Sequence, residues 1–151
     1  MKCFYEAYTR LMEGLQETLK PLIDEEIVKN ISIMGVSVGV PEMPFLEIWN
    51  ERPFTNISDS GFSEILEGDI IFSSQVLNTK NPNEGIDEAT SIISEVHKKI
   101  RSSRRLKNLG VYYIKTKEIG WVPYGFGKNN NVYGAGVTFT IRMKIEDPQC
   151  K

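Results

Sequence analysis

The segment at residues 133–147, YGAGVTFTIRMKIED, constrains the fold of this chain more than any other. Apolar residues occupy every second position, and polar residues occupy the positions between them. Side chains of a β-strand point alternately to the two faces of a sheet, so the pattern predicts a strand with one buried face. The apolar set is Val137, Phe139, Ile141, Met143 and Ile145, and the polar set is Thr138, Thr140, Arg142 and Lys144. We expect the polar set to face water or another protein.

A second pattern predicts a long helix over residues 86–105. Its apolar residues recur every three or four positions, which is typical of a helix that buries one face. Acidic residues stand at its start and basic residues at its end, an arrangement that complements the helix dipole. The same spacing predicts an N-terminal helix from Phe4 to Leu19, which Pro21 ends. The stripe of the long helix is Ile86, Ala89, Ile92, Ile93, Val96 and Ile100.

The remaining segments are shorter. The sequence predicts strands at 44–51, 69–77 and 111–118, together with a turn of helix and an extended run before residue 44. Residues 52–62 are rich in turn-forming types and predict a loop or an irregular edge. Residues 121–136 predict a hairpin-like connection, with room for a short strand at 121–124.

Helix length decides how these elements pack. A helix of 20 residues is about 30 Å long, as is a strand of nine residues, so the long helix can cover the final strand along its whole length. We therefore predict one α+β domain spanning residues 1–151. It is a two-layer sandwich, with a mostly antiparallel sheet of four to five strands and both the N-terminal and the long central helix on one face.

Composition excludes several classes of protein. The formal net charge of −2 gives no general attraction to nucleic acid or to an anionic membrane. Apolar runs are too short to cross a bilayer, and the first residues do not read as a signal peptide. Cys3 and Cys150 make neither a disulfide framework nor a metal motif. We expect two reduced thiols in a cytosolic protein, the alternative being a crosslink between subunits.

A search for catalytic motifs finds no active site. His97, the single histidine, has no orienting acid and no metal-binding partner in sequence, so we predict a solvated or capping side chain. The glycine pairs Gly125/Gly127 and Gly134/Gly136 do not open a helix, and we predict hairpin turns. Asp69 precedes a predicted strand and has no paired carboxylate at a defined spacing. The sequence therefore predicts no enzyme, no metal and no cofactor.

Basic residues cluster around the end of the long helix. They could hold phosphates, or they could complement the helix terminus and keep that face solvated. The cluster comprises Lys98, Lys99, Arg101, Arg104, Arg105 and Lys107.

The order of elements carries a resemblance. A helix leads to a strand (MPFLEIW), then to a second strand (ILEGDIIFSSQV), a long helix with an acidic start (NEGIDEATSIISEVHKKI) and a final alternating strand (GVTFTIRMKIED). Over residues 4–147 this resembles the tail-terminator and tail-completion proteins of tailed bacteriophages and related head–tail joining proteins. Residues 27–44 have no counterpart in the family pattern.

The resemblance implies a non-enzymatic virion protein in the tail or neck, assembled in the host cytoplasm. It implies a homo-hexameric ring that caps the head-proximal end of the tail tube and docks to the head connector or a neck protein, with DNA passing through its lumen. The basic cluster and the polar set of the last strand are the candidate interface or lumen residues.

Three alternatives remain open. One is a neck or head-completion protein on the same fold. Another is a small nucleic-acid-binding module that uses the basic end of helix 86–105. A third is a small hydrolase with a deep pocket of perturbed carboxylates.

Overall fold

A computed structural model describes residues 2–33, 42–59, 63–77, 81–126 and 129–146. In chain order the helices and strands are α1 (Lys2–Leu19), α2 (Pro21–Asp24), β1 (Asn30–Ile33), β2 (Phe45–Asp59), β3 (Ser63–Leu77), α3 (Pro82–Arg101), α4 (Arg104–Asn108), β4 (Val111–Phe126) and β5 (Asn129–Glu146).

The strands form one sheet in the order β1-β2-β3-β5-β4. The short edge strand β1 runs parallel to β2, and every other neighbouring pair is antiparallel. Helix α3 packs on β3 and β5, and α1 lies beside α3. The predicted α+β fold is confirmed. Strand β1 lies in the region that had no counterpart in the family pattern.

The apolar set of β5 forms the centre of the core. Val137, Phe139 and Ile141 are fully buried, and the Phe139 ring meets the edge of Phe72 on β3 at 5.7 Å between centroids. Helix α1 adds Leu11 and Leu15 from the side. Full burial of an aliphatic or aromatic side chain stabilises the fold by roughly 1.5–3 kcal/mol, so this face supplies most of the driving force for folding.

The long helix begins and ends earlier than predicted. It begins after Asn81, whose side chain accepts a hydrogen bond from the Asn83 backbone N–H at 2.9 Å, and it ends at Arg101. Ser103 is extended and its hydroxyl caps a separate short helix, α4. A serine that bonds the local backbone competes with helix continuation. The prediction of one helix to residue 105 was therefore wrong at its end.

Residues 52–59 belong to β2, so of the two predicted alternatives the loop was wrong and the irregular edge is what the structure has. The pairing of β2 with β3 shifts register three times in this stretch, and Pro53 falls within one of the irregularities. Proline is tolerated in sheets at bulges and edges. Phe54 is buried and meets Tyr8 of α1 edge-on at 6.0 Å. The turn-forming residues thus mark bulges and not a chain reversal.

The last two strands are longer than predicted. The short strand expected at 121–124 is part of β4, which reaches Phe126. Gly134 and Gly136 lie inside β5, paired with Gln75 and Ser73 of β3, so the turn predicted there was wrong. The second glycine of the 125/127 pair and Cys150 lie outside the described residues, as does the side chain of Cys3.

Candidate interaction surfaces

A buried carboxylate organises the face of the sheet that the helices leave open. Asp69 lies near the middle of β3 and is 1% exposed. Its oxygens accept hydrogen bonds from Arg52 of β2 at 3.1 Å and from Lys117 of β4 at 2.8 Å. The hydroxyl of Thr140 on β5 donates a further bond at 2.9 Å. Side chains from three other strands therefore bind the carboxylate of Asp69.

Glu67 is a second acceptor on the same face, two residues before Asp69. It accepts from Arg142 of β5 at 2.6 Å and from Arg52 at 2.9 Å. The guanidinium of Arg142 also lies over the ring of Tyr113, 4.5 Å from its centroid, which is cation–π distance. We call the set Arg52, Glu67, Asp69, Lys117, Thr140 and Arg142 the Asp69 cluster.

The electrostatics of the cluster are those of a closed network. Burial raises the pKa of Asp69, but the hydrogen bonds from Arg52, Lys117 and Thr140 outweigh burial and lower that pKa to about 2. The bonds from Arg142 and then Arg52 lower the pKa of Glu67. Both carboxylates are thus held ionised at neutral pH. Carboxylates with such depressed pKa values are poor proton acceptors. The role that the hydrogen bonds of the cluster support is to hold neighbouring strands together.

Sequence reasoning missed this cluster. It placed Asp69 at the very start of the strand predicted at 69–77, and the structure places Asp69 near the middle of β3. A signal was present in the sequence. Glu67 and Asp69 lie two residues apart and so point to the same face of a strand, as do Thr140 and Arg142 on β5. The register pairs Glu67 with Arg142 and Asp69 with Thr140. Side chains directly opposite each other on one face interact.

The polar set of β5 divides between burial and exposure. Thr138 is 2% exposed, Thr140 and Arg142 belong to the Asp69 cluster, and Lys144 lies at the exposed end. The assignment of these residues to an interface or a lumen stays a prediction.

The basic cluster spreads over α3 and α4. Lys98 pairs with Glu95 at 3.3 Å, and Arg105 of α4 pairs with Glu17 of α1. Arg101 donates to the backbone carbonyl of Ile114. Lys99 is half-buried. Arg104 and Lys107 are exposed on α4, and no partner for either side chain lies within the part of the chain that the structure describes.

The prediction of a solvated or capping His97 was wrong. The side chain is half-buried, and its ring stacks on Phe139 with centroids 5.6 Å apart. Its Nε2 is 3.0 Å from the hydroxyl of Thr116 on β4. Both contacts hold the ring at the edge of the core. A groove of about 400 Å³ beside it is lined mainly by small and apolar residues, including Ile93 and Ile119.

Further grooves lie along the helices. One of about 450 Å³ runs between α3 and the end of β3, and one of about 200 Å³ runs between α4 and the start of β4. Glu67 and Asp69, the carboxylates with shifted pKa values, line none of these three grooves. The deep pocket of perturbed carboxylates that a hydrolase would need is not formed by these groups.

Among the residues that the structure describes, no three metal-ligating side chains come together as a metal site would need. Within the same ranges, no helix has the length and apolar character needed to cross a membrane.

Large apolar side chains are exposed around the edges of the sheet. Trp49 is 39% exposed on β2 and Ile119 is 67% exposed on β4. Tyr112, at the start of β4, is 54% exposed.

The structure is a mixed sheet with helices on one face, the Asp69 cluster on the other face and grooves along the helices. No protein-family model and no curated protein matches the sequence. Among solved structures the chain is similar to a chain in the virion of a native gene transfer agent (GTA) particle, with a TM-score of 0.54 and 12% identity over 75% of this chain and 78% of that one.

A second similar structure is that of the gp17 protein of bacteriophage SPP1. It has a TM-score of 0.46 and 17% identity, covering 91% of this chain and 89% of that chain. At these identities the likeness is one of fold. The chain therefore shares its fold with a component of a virion particle.

Proposed function

We propose that this protein is a non-enzymatic structural component of a tailed phage or phage-like particle, located where the tail meets the head. The observation that carries the proposal is the fold shared with a chain of the GTA virion, over three quarters of both chains. The order of elements in the sequence supports the same role independently.

The finer proposal is a tail terminator. Six copies form a ring on the head-proximal end of the tail tube, stop its growth and present a docking surface to the head connector or a neck protein. DNA passes through the lumen during delivery. The ring forms in the host cytoplasm and remains in the virion, and neither a cofactor nor a membrane takes part.

The folded chain supplies what a ring subunit needs. A ring requires two different side surfaces on each copy, because each contact is heterologous. The sheet has unlike edges, a short strand β1 on one side and the sixteen-residue strand β4 on the other. The Asp69 cluster ties β2, β3, β4 and β5 together, which holds the β4 edge in a fixed relation to β2.

Tube capping is testable with two purified components. The protein is mixed with a tail-tube protein, and tubes are imaged by negative-stain electron microscopy. We expect a ring at one end of each tube, and tubes that stop elongating once the ring is bound. Open tubes that continue to elongate, with no ring at either end, would contradict the terminator role.

The neck or head-completion role uses the same fold and predicts a different partner. Pull-downs with the tube protein and with the head connector separate the two, because a neck protein is retained by the connector and not by the tube.

The nucleic-acid module predicts duplex binding that weakens steeply with salt. Half of its six basic side chains already bond to groups of the same chain, as described above. A retardation assay at low salt that shows no shift would eliminate the module and leave the assembly role intact.

A further inference from the structure

The groove between α3 and the end of β3 has an apolar floor and an acidic rim. Its volume is about 450 Å³. Ile27, Val76 and Ile92 form the floor, while Glu84, Asp87 and Glu88 of α3 form the rim. Glu84 and Asp87 are exposed, and neither carboxylate has a partner within the part of the chain that the structure describes. This groove combines apolar and anionic recognition.

Helix stability explains only part of this charge pattern. The dipole favours acids in the first turn of a helix and fades beyond it. Glu84 lies in the first turn of α3, whereas Asp87 lies in the second. At the other end, Arg104 opens the five-residue helix α4, three residues after α3 ends at Arg101. The exposed charges of Asp87 and Arg104 are therefore available to a partner.

A surface of complementary character lies at the other end of the molecule. Arg104 and Lys107 are exposed on α4, and the adjoining Tyr112 is 54% exposed. Tyr112 lies where the pairing of β4 with β5 shifts register, between Val111 and Tyr113. A bulge of this kind turns a side chain away from its strand. We call Arg104, Lys107 and Tyr112 the basic aromatic surface.

The sheet register places the two surfaces diagonally. Val76, on the groove floor, pairs with Tyr133 of β5, whereas Val111, beside Tyr112, pairs with Met143. Ten residues of β5 separate these rows, which is about 33 Å along the strand. Ile27, which lines the groove, lies three residues before β1, so the groove is near the β1 edge of the sheet. Tyr112 lies on β4, the opposite edge. One copy therefore cannot bring its own two surfaces together.

We infer that the acidic groove of one copy receives the basic aromatic surface of a second copy. This contact joins adjacent copies in the ring proposed above, and it therefore rests on that proposal. Tyr112 fills the apolar floor, and Arg104 and Lys107 pair with Glu84 and Asp87 on the rim. An aromatic anchor flanked by opposite charges is the usual composition of a specific protein contact. Because the two surfaces differ and lie apart, the contact is heterologous and repeats from copy to copy.

Two charge-reversal variants test this contact. The groove variant carries Glu84→Lys with Asp87→Lys, and the surface variant carries Arg104→Glu with Lys107→Glu. Each alone is expected to sediment as a monomer at concentrations where the wild type is oligomeric. The matched control, Glu6→Lys with Glu13→Lys, changes exposed charges on α1 by the same amount and should assemble like the wild type. Circular dichroism melting verifies that all variants fold.

Mixing the two variants gives the decisive result. The unchanged groove and the unchanged surface form one contact, and the two reversed surfaces are again opposite in charge. An equimolar mixture should therefore reassemble into the wild-type oligomer with the two variants alternating. Wild-type assembly should also weaken at least tenfold between 50 mM and 500 mM salt, since exposed charge pairs are screened.

The outcomes separate this inference from the proposed function. If each folded variant alone forms the same rings as the wild type, or if their mixture stays monomeric, the inference is overturned and the ring stands. If the wild type remains monomeric at every concentration, with and without tube protein, both fall.

Discussion

The two faces of the sheet are built on different physical principles. The helix-covered face is closed by apolar burial, with Phe72 and Phe139 meeting at its centre. The open face is held by directed hydrogen bonds that converge on Asp69. Apolar packing tolerates exchange of similar shapes, whereas a charge cluster requires particular groups in register. Alternation in the sequence specifies the first face, and strand register specifies the second.

The largest expected effect is on the packed face. Phe139→Ala should lower the free energy of unfolding by about 3–5 kcal/mol, because it leaves a cavity under α3 between Phe72 and His97. Urea denaturation measures the change. The control is Ile71→Ala, at a half-buried position on the open face, which should lower the free energy of unfolding much less. Equal losses would remove the distinction between the faces.

The second effect is on the open face. Asp69→Asn should lower the free energy of unfolding by about 2 kcal/mol at pH 7, because Arg52 and Lys117 lose their anionic partner. The loss is no larger because both cations are partly exposed and regain hydration. The pKa of Asp69 in the folded state, about 2, lies below its ordinary value of 3.8. Its contribution is therefore fully present above pH 4–5 and is lost as pH falls from about 4 to about 2.

Urea denaturation of both proteins between pH 2 and pH 7 measures this dependence. The difference between wild type and variant should shrink steadily below about pH 4. A difference that stays constant down to pH 2 would show that Asp69 is not stabilised as a carboxylate.

A smaller effect is expected from a hydroxyl that is buried under α3. Ser74 is fully buried, and its hydroxyl donates to the carbonyl of Ala89 at 2.9 Å. Ser74→Ala should cost about 1 kcal/mol, the usual net worth of such a bond. The thermal midpoint and the urea midpoint both report it. Stabilisation by the alanine would mean that this face gains from apolar content alone.

The smallest effect is expected away from both faces. Arg105 and Glu17 form an exposed ion pair between α4 and α1. Arg105→Ala should change stability by less than about 1 kcal/mol, as exposed pairs generally do. A loss as large as that of Asp69→Asn would indicate that charge pairs stabilise this protein regardless of burial.

Much of the fold could be predicted from local pattern. The alternation over residues 137–145 and the stripe from Ile86 to Ile100 each carry a period that only one kind of element satisfies, and the structure has a strand and a helix there. The antiparallel pairing of β4 with β5 followed from their short connection. These features depend on neighbours in sequence.

What local pattern could not predict depends on partners distant in sequence. Residues 52–59 continue β2 because β3 supplies hydrogen bonds across irregular pairings. His97 belongs to the core because Phe139 and Thr116 come within reach only after folding. The Asp69 cluster draws on β2, β3, β4 and β5, so no window of sequence contains it.

Native mass spectrometry of the purified wild-type protein across a range of concentrations tests the proposed ring most directly. We expect a closed species at six times the 17.2 kDa mass of the chain, without a continuing ladder of larger forms. A spectrum that shows only the single chain at every concentration, and also after addition of tube protein, would contradict it.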